Sequence, residues 1–208
     1  MGRVARAVTL PAGSLKPIDV LFVCTGNICR SPMAEGLLRQ RMETRGIPAH
    51  VHSAGFATHG EPSSAHGIDV LHHDYRVDLH SHRSRRLKPK MVDEADLIVG
   101  MARRHVFEVA REQPDAFGRA FTLKELVRRA EAADARTPDE SLDAWLSRLH
   151  EGRSPGDVWG ESPDDDVEDP IGQDYAMYRR TAAEIDSLVE RLVDAVWGDS
   201  PATRRETA

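Results

Sequence analysis

The sequence predicts an α/β domain of three layers, a four-stranded parallel sheet with helices on both faces. Residues 20–23 (Val-Leu-Phe-Val) and 97–99 (Leu-Ile-Val) are unbroken apolar runs of strand length, as strands buried on both faces require. Stretches with apolar residues at helical spacing follow the strand candidates. This alternation recurs along the chain, as crossovers between parallel strands do.

Residues 1–17 mix Pro, Gly and basic side chains without periodicity and are read as a flexible lead. The domain is expected over 18–198, with a fraying tail over 199–208. The first strand ends at Cys24, and Ser31-Pro32 is read as the N-cap and first turn of a helix. Met33, Leu37, Leu38 and Met42 form its inner face and Gly46 its stop. A second strand is expected at 51–53, running into Ala54-Gly55, and a short helix at 65–71. A third strand at 96–101 precedes a helix at 103–112, and a short fourth strand at 120–122 precedes a helix at 123–133. An amphipathic helix is expected at 138–149, a loop at 152–166, and a long last helix at 175–196 with Ile185, Leu188, Leu192 and Val196 inward.

A length of 208 residues suits one domain with a full core, and 40% hydrophobic with 30% charged residues suits a soluble one. The formal charge of -6 argues against general nucleic-acid binding. No run has the length of a signal peptide's apolar region or of a membrane span, so a cytoplasmic protein is expected. Only Cys24 and Cys29 are present, which fits a reduced compartment rather than a disulfide scaffold.

The chemistry concentrates in Cys24-Thr25-Gly26-Asn27-Ile28-Cys29-Arg30-Ser31-Pro32. A loop between a buried strand and a helix N-terminus turns several backbone N–H groups toward one point, where the helix dipole adds partial positive charge. Such a place suits a dianion, so a phosphate-binding loop is expected after the first strand. Gly26 is expected to allow close approach and a positive φ, Asn27 to tolerate the left-handed region, and Arg30 to grip phosphate oxygens with both arms of its guanidinium. Helix N-termini and nearby cations favour the thiolate form of a cysteine, which makes Cys24 a nucleophile aimed at phosphorus. Ser31 can donate a hydrogen bond to that sulfur. A buried Cys, a surface Arg and a capping Ser are each ordinary; Cys-x5-Arg-Ser-Pro between a strand and a helix is not.

These residues resemble the nucleophile loop of the low-molecular-weight protein tyrosine phosphatases of bacterial type. The resemblance continues through Ser53-Ala54-Gly55, Ser81-His82-Arg83-Ser84-Arg85, Ala95-Asp96-Leu97-Ile98 with Met101, and Asp169-Pro170, in the family's order over most of 18–196. It implies hydrolysis of a phosphorylated protein substrate through a cysteinyl-phosphate, with no metal and no other cofactor. It also implies that Asp169 is the general acid and then the base, that Thr25, Gly26, Asn27, Ile28, Cys29 and Ser31 bind the phosphoryl group with Arg30, and that Ser53 and His82 support the loop with Asn27. Asp164, Asp165, Asp166 and Glu168 crowd Asp169 in sequence, and like charges favour the protonated form that an acid needs. Cys29 resembles the family's second loop cysteine, able to trap an oxidised Cys24 as a disulfide; the alternative is a small packing residue. The stretch 128–163 departs from the family as an insertion, whether lid, partner surface or decoration.

Ile28 stands where relatives acting on phosphoarginine usually carry threonine, and an apolar wall favours the ring of phosphotyrosine. Against it, Asp169-Pro170-Ile171-Gly172 lacks the aromatic residues that tyrosine-specific members carry after Asp-Pro. That stretch and Phe121-Thr122-Leu123-Lys124-Glu125 look closer to the phosphoarginine branch. Trp159, Tyr175 and Tyr178 are candidates for the missing wall. Phosphotyrosine is the first choice and phosphoarginine the second. Arsenate reductases on the same scaffold need further cysteines downstream, and none follows Cys29; an inert phosphopeptide-binding module would have dispensed with Cys24 or Asp169. The histidines at 50, 52, 59, 66, 72, 73, 80 and 82 offer no His-x3-His pair on a helix with a carboxylate partner, and are read as a solvated, mostly loop-borne cluster rather than a metal site.

Overall fold

The computed structural model describes residues 17–198 except Ala135 and Pro138. The lead over 1–16, the tail over 199–208 and the expected helix start at Pro138 lie outside the described residues. In chain order the elements are β1 (Ile18–Cys24), α1 (Arg30–Arg45), β2 (Ala49–Gly55), α2 (Ala65–Tyr75), α3 (Pro89–Glu94), β3 (Leu97–Gly100), α4 (Arg103–Glu112), β4 (Ala120–Thr122), α5 (Leu123–Ala132), α6 (Leu142–His150) and α7 (Tyr175–Trp197). The strands form one parallel sheet in the order β2-β1-β3-β4.

β1 is central because its side chains are apolar on both faces. Val20 and Phe22 enter a core shared with α1, α2, α5, α6 and α7, while Leu21 and Val23 enter a second core shared with α3 and α4. β2 departs to one side of β1 and β3 to the other, so the crevice where the strand order reverses opens beyond the carboxyl end of β1. Cys24 is the last residue of that strand.

Local chemistry explains most boundaries. Gly46 ends α1 in the left-handed region at φ 65°. Ser64, Thr122 and Asp174 cap α2, α5 and α7 by accepting from Gly67, Glu125 and Met177 backbone N–H groups. Ser31 is not the cap of α1: the helix starts at Arg30, and the Ser31 side chain turns to Cys24 instead. α6 starts at Leu142, later than its periodicity suggested, because Ser141 caps the Ala144 N–H. α3 and the 3-10 turns at Pro114–Arg119 and Pro155–Val158 were not expected; each is too short to show a period.

The stretch 128–163 is built into the domain beside β4. Trp145, Leu146 and Leu149 of α6 are buried with Phe121, Leu126 and Ala130. Arg153 donates to Glu125 at 2.7 Å and to the carbonyls of Phe117 and Ala120 at 3.1 and 2.8 Å. Its guanidinium also lies over the rings of Phe117 and Phe121, at 4.5 and 3.9 Å from their centroids. A buried cation so completely partnered holds the segment in place. β2 starts two residues before the expected 51, so His50 joins His52 on the strand, and both face Asp19 of β1.

Trp145→Ala is expected to lower the unfolding free energy by about 3–5 kcal/mol, the cost of emptying a fully buried indole site, as read by urea denaturation.

Candidate active site

The loop after β1 is held from outside by its carbonyls. Thr25 C=O accepts from Phe56 and Ala57 N–H groups, both at 2.9 Å; Gly26 C=O accepts from the Thr58 hydroxyl; Ile28 C=O accepts from Ser64 N–H at 2.8 Å. Asn27 C=O lies 2.8 Å from His82 Nε2. A carbonyl can only accept, so that ring nitrogen carries the proton. In a trans peptide the N–H points opposite to the C=O of the same unit. Four carbonyls turned outward therefore turn the N–H groups of Gly26, Asn27, Ile28 and Cys29 inward. The Asn27 N–H indeed reaches Cys24 Sγ, at 3.2 Å.

Asn27 makes the turn. Its φ of 52° places it in the left-handed region; Gly26, expected to share that duty, has no positive φ. The Asn27 side chain is buried and fully used. Its Oδ1 accepts from Arg85 N–H at 2.8 Å, which fixes the amide orientation, and its Nδ2 donates to Ser31 Oγ at 2.9 Å and Ser53 Oγ at 2.7 Å. Ser53 donates onward to Glu35 at 2.6 Å. Since Ser31 Oγ accepts from Asn27, its own hydrogen is left for Cys24 Sγ, 2.9 Å away. Gly55 is required where β2 passes the loop. A Cβ there would stand 2.8 Å from both Asn27 N and Thr25 O, closer than packing permits.

Arg30 is buried at the start of α1. It donates to the Val167 carbonyl at 3.1 Å and to the Asp169 carboxylate, while its buried Nε has no protein partner. Asp169 also lies 3.7 Å from Arg104. Two of the acids expected to crowd Asp169 are engaged elsewhere: Asp165 pairs with Arg103 and Arg128, and Asp166 accepts from the backbone N–H of Arg103 and Ser162. Asp165 and Asp166 thus clamp α4, α5 and their own loop, while the ion-pair partners of Asp169 are Arg30 and Arg104. Cys29 is buried behind the loop, 3.3 Å from the Tyr178 hydroxyl; burial pushes its thiol pKa up and that of Tyr178 to about 12.

His105, Arg104 and Glu35 gave no signal in the sequence, and Arg85, part of a resembling stretch, was assigned no role. His105, on the inner face of α4 one turn past β3, lies 3.0 Å from Thr25 Oγ1. The Arg104 Nε–H points at the same His105 Nε2, at 3.4 Å, so Nε2 accepts and the Thr25 hydroxyl donates to it. Its Nδ1 is buried without a partner. A lone His two turns from the motif gives little sequence signal beyond its inward position on a helix leaving a strand end. A groove of about 460 Å³ opens beside the loop, lined by Thr25, Phe56, Arg86, Arg104 and His105 among others. A larger cavity of about 620 Å³, reached by Ile18, Ile47, Asp96 and Trp197, lies at the amino-terminal end of the sheet and has no cysteine in its lining.

Of the three candidate aromatic walls, Tyr178 is buried against Cys29 and Trp159 packs edge-on to Phe107. Tyr175, 37% exposed and edge-on to His66, remains at the start of α7, with Ile171 exposed nearby in sequence.

Burial, then the Arg30 and Arg104 charges, hold the His105 pKa well below the usual 6.5. The unfolded chain therefore takes up a proton near pH 6.5 that the folded state refuses, so the folded state loses stability as pH falls below that value. His105→Gln is expected to flatten this acid-side decline, measured as urea midpoints at neutral and mildly acidic pH.

The sequence model of the low molecular weight phosphotyrosine protein phosphatases matches residues 19–144. A protein-arginine-phosphatase of Geobacillus stearothermophilus is 31% identical over 180 residues, spanning 86% of this chain and 95% of the relative. A probable low molecular weight protein-tyrosine-phosphatase, EpsP of Ralstonia nicotianae, is 39% identical over 146 residues, spanning 62% of this chain and 94% of the relative. The crystal structure of a low molecular weight protein tyrosine phosphatase from T. tengcongensis superposes with a TM-score of 0.66 at 32% identity, covering 85% of this chain and 98% of that one. With the family model matched over more than half of its length and the fold shared with these relatives, the chain belongs to the low molecular weight protein tyrosine phosphatase family.

Proposed function

We propose that this protein removes phosphate from protein phosphotyrosine, with Cys24, Arg30 and Asp169 as its catalytic groups. The observation that carries the reading is the inward set of N–H groups around Cys24 Sγ, closed by a buried guanidinium with a donor to spare. Such a cradle fits the three equatorial oxygens of a transferring phosphoryl group, whose charge it stabilises without rearranging.

Cys24 Sγ attacks phosphorus, and the bond to the leaving oxygen breaks as Asp169 hands that oxygen its proton. Water then attacks the cysteinyl-phosphate while Asp169 accepts a water proton, and the S–P bond breaks to return the thiolate and free phosphate. The Ser31 hydroxyl and the Asn27 N–H steady the departing sulfur. Phosphate binding in the loop draws Arg30 away from Asp169, which frees the carboxyl for the leaving group.

Ile28 supports an aromatic ester. It is half-buried, packed on the main core, and offers the mouth of the loop an apolar side chain without a donor. Tyr175 and Ile171 are exposed apolar groups close to Asp169 in sequence. A second reading, phosphoarginine, is favoured by Asp169-Pro170-Ile171-Gly172 and by the arginine phosphatase relative, whose likeness spans most of both chains.

Cys24→Ser is expected to abolish turnover of aryl phosphates. Asp169→Ala should cost about 10²–10⁴-fold on phenyl phosphate and much less on an ester with an acidic leaving group. Equal losses on both would remove Asp169 from the acid role. In side-by-side assays on phosphotyrosine and phosphoarginine peptides, phosphotyrosine is expected to dominate. Ile28→Thr should move the ratio toward phosphoarginine, on the order of tenfold; a parent enzyme that prefers phosphoarginine would establish the second reading.

A further inference from the structure

We propose that Asp19, His50 and His52 form a zinc-binding site at the end of the sheet remote from Cys24. Among the described residues they are the one group of His, Cys, Asp or Glu side chains with three ligand atoms all within 4.8 Å of one another. The parallel register sets Asp19 of β1 beside His50 of β2, and the two-residue period of a strand puts His52 on the same side as His50. Asp19 offers one oxygen to each ring, at 2.6 Å from His50 Nδ1 and 2.7 Å from His52 Nε2. The two rings stack with centroids 4.6 Å apart.

Two imidazole nitrogens and one carboxylate oxygen are a donor set that suits zinc and leaves one tetrahedral position for water. Ligand atoms about 2.1 Å from a tetrahedral ion stand about 3.4 Å apart, so coordination opens the two Asp19 contacts slightly and lets the ion replace two hydrogen bonds. A carboxylate only accepts, so in the hydrogen-bonded form Nδ1 of His50 and Nε2 of His52 carry protons. On coordination each neutral ring moves that proton to its other nitrogen, and no net proton is released. His50 is 63% exposed at its side chain and gives the ion its approach, while His52 at 9% and Asp19 at 15% form a fixed floor. Cys24 lies five residue steps along the strand from Asp19, about 16 Å at strand rise, so the metal belongs to the structure of the β1-β2 edge and not to phosphoryl transfer.

The test is zinc chloride titrated into the full chain by calorimetry, for the parent, Cys24→Ser, His50→Ala and His52→Ala, with magnesium as the control ion. The proposal expects one equivalent of zinc in the parent and in Cys24→Ser, none in either histidine variant, and no magnesium. It expects zinc to raise the melting temperature of Cys24→Ser but not of a Cys24→Ser/His50→Ala double variant. His50 is exposed, so His50→Ala keeps the test open should His52→Ala fail to fold. Absence of zinc binding in the parent would overturn the proposal, leaving the triad a hydrogen-bonded cross-link. Binding that survives His50→Ala but is lost in Cys24→Ser would also overturn it, by placing the ion on the nucleophile.

Discussion

Everything distinctive in this molecule depends on the outward pull on four consecutive carbonyls, Thr25 to Ile28. Left alone, a five-residue connection between strand and helix would satisfy its amides with whatever water or backbone lay nearest. Here the stretch after β2, the His82 ring and the cap residue of α2 each take a carbonyl, and the N–H groups are left converging on the sulfur. The partners come from three separate segments, so the loop is shaped by the tertiary fold and exists only when the fold does. That is why Gly55, a strand residue with no polar atom of its own beyond the backbone, belongs to the site as much as Asn27 does.

The same logic runs through the side chains. Asn27 spends all its hydrogen-bonding capacity on Arg85, Ser31 and Ser53, and by doing so decides where the Ser31 hydrogen points. Glu35 finishes that chain two turns along α1. A buried polar network with every member satisfied has one arrangement, and the cost of any other enforces it.

Much of this was legible in the sequence because it was local. The unbroken run 20–23, the Gly46 stop, the cysteine-to-arginine spacing and the α7 stripe are set by neighbours a few residues apart, and the structure has them at the expected places. What failed was decided at a distance. Ser31 reads as a cap until Cys24 claims it; Asp164 to Asp166 read as company for Asp169 until Arg103, Arg128 and the backbone claim Asp165 and Asp166. His105 and the His50-His52-Asp19 contact are products of strand order, which no window of sequence displays. α3 was missed for a simpler reason, being shorter than two turns.

The contact between Arg30 and Asp169 means that the loop carries its own anion. If Arg30 binds phosphate as proposed, an incoming phosphate would exchange with a tethered carboxylate, whose effective concentration is fixed by the chain rather than by the solution. Weakly charged anions that grip only the guanidinium lose that exchange, whereas a group that also engages the loop amides wins it. On the proposed roles of these two residues, the carboxylate would return when phosphate leaves, so the protein would compete with its own product for the cation.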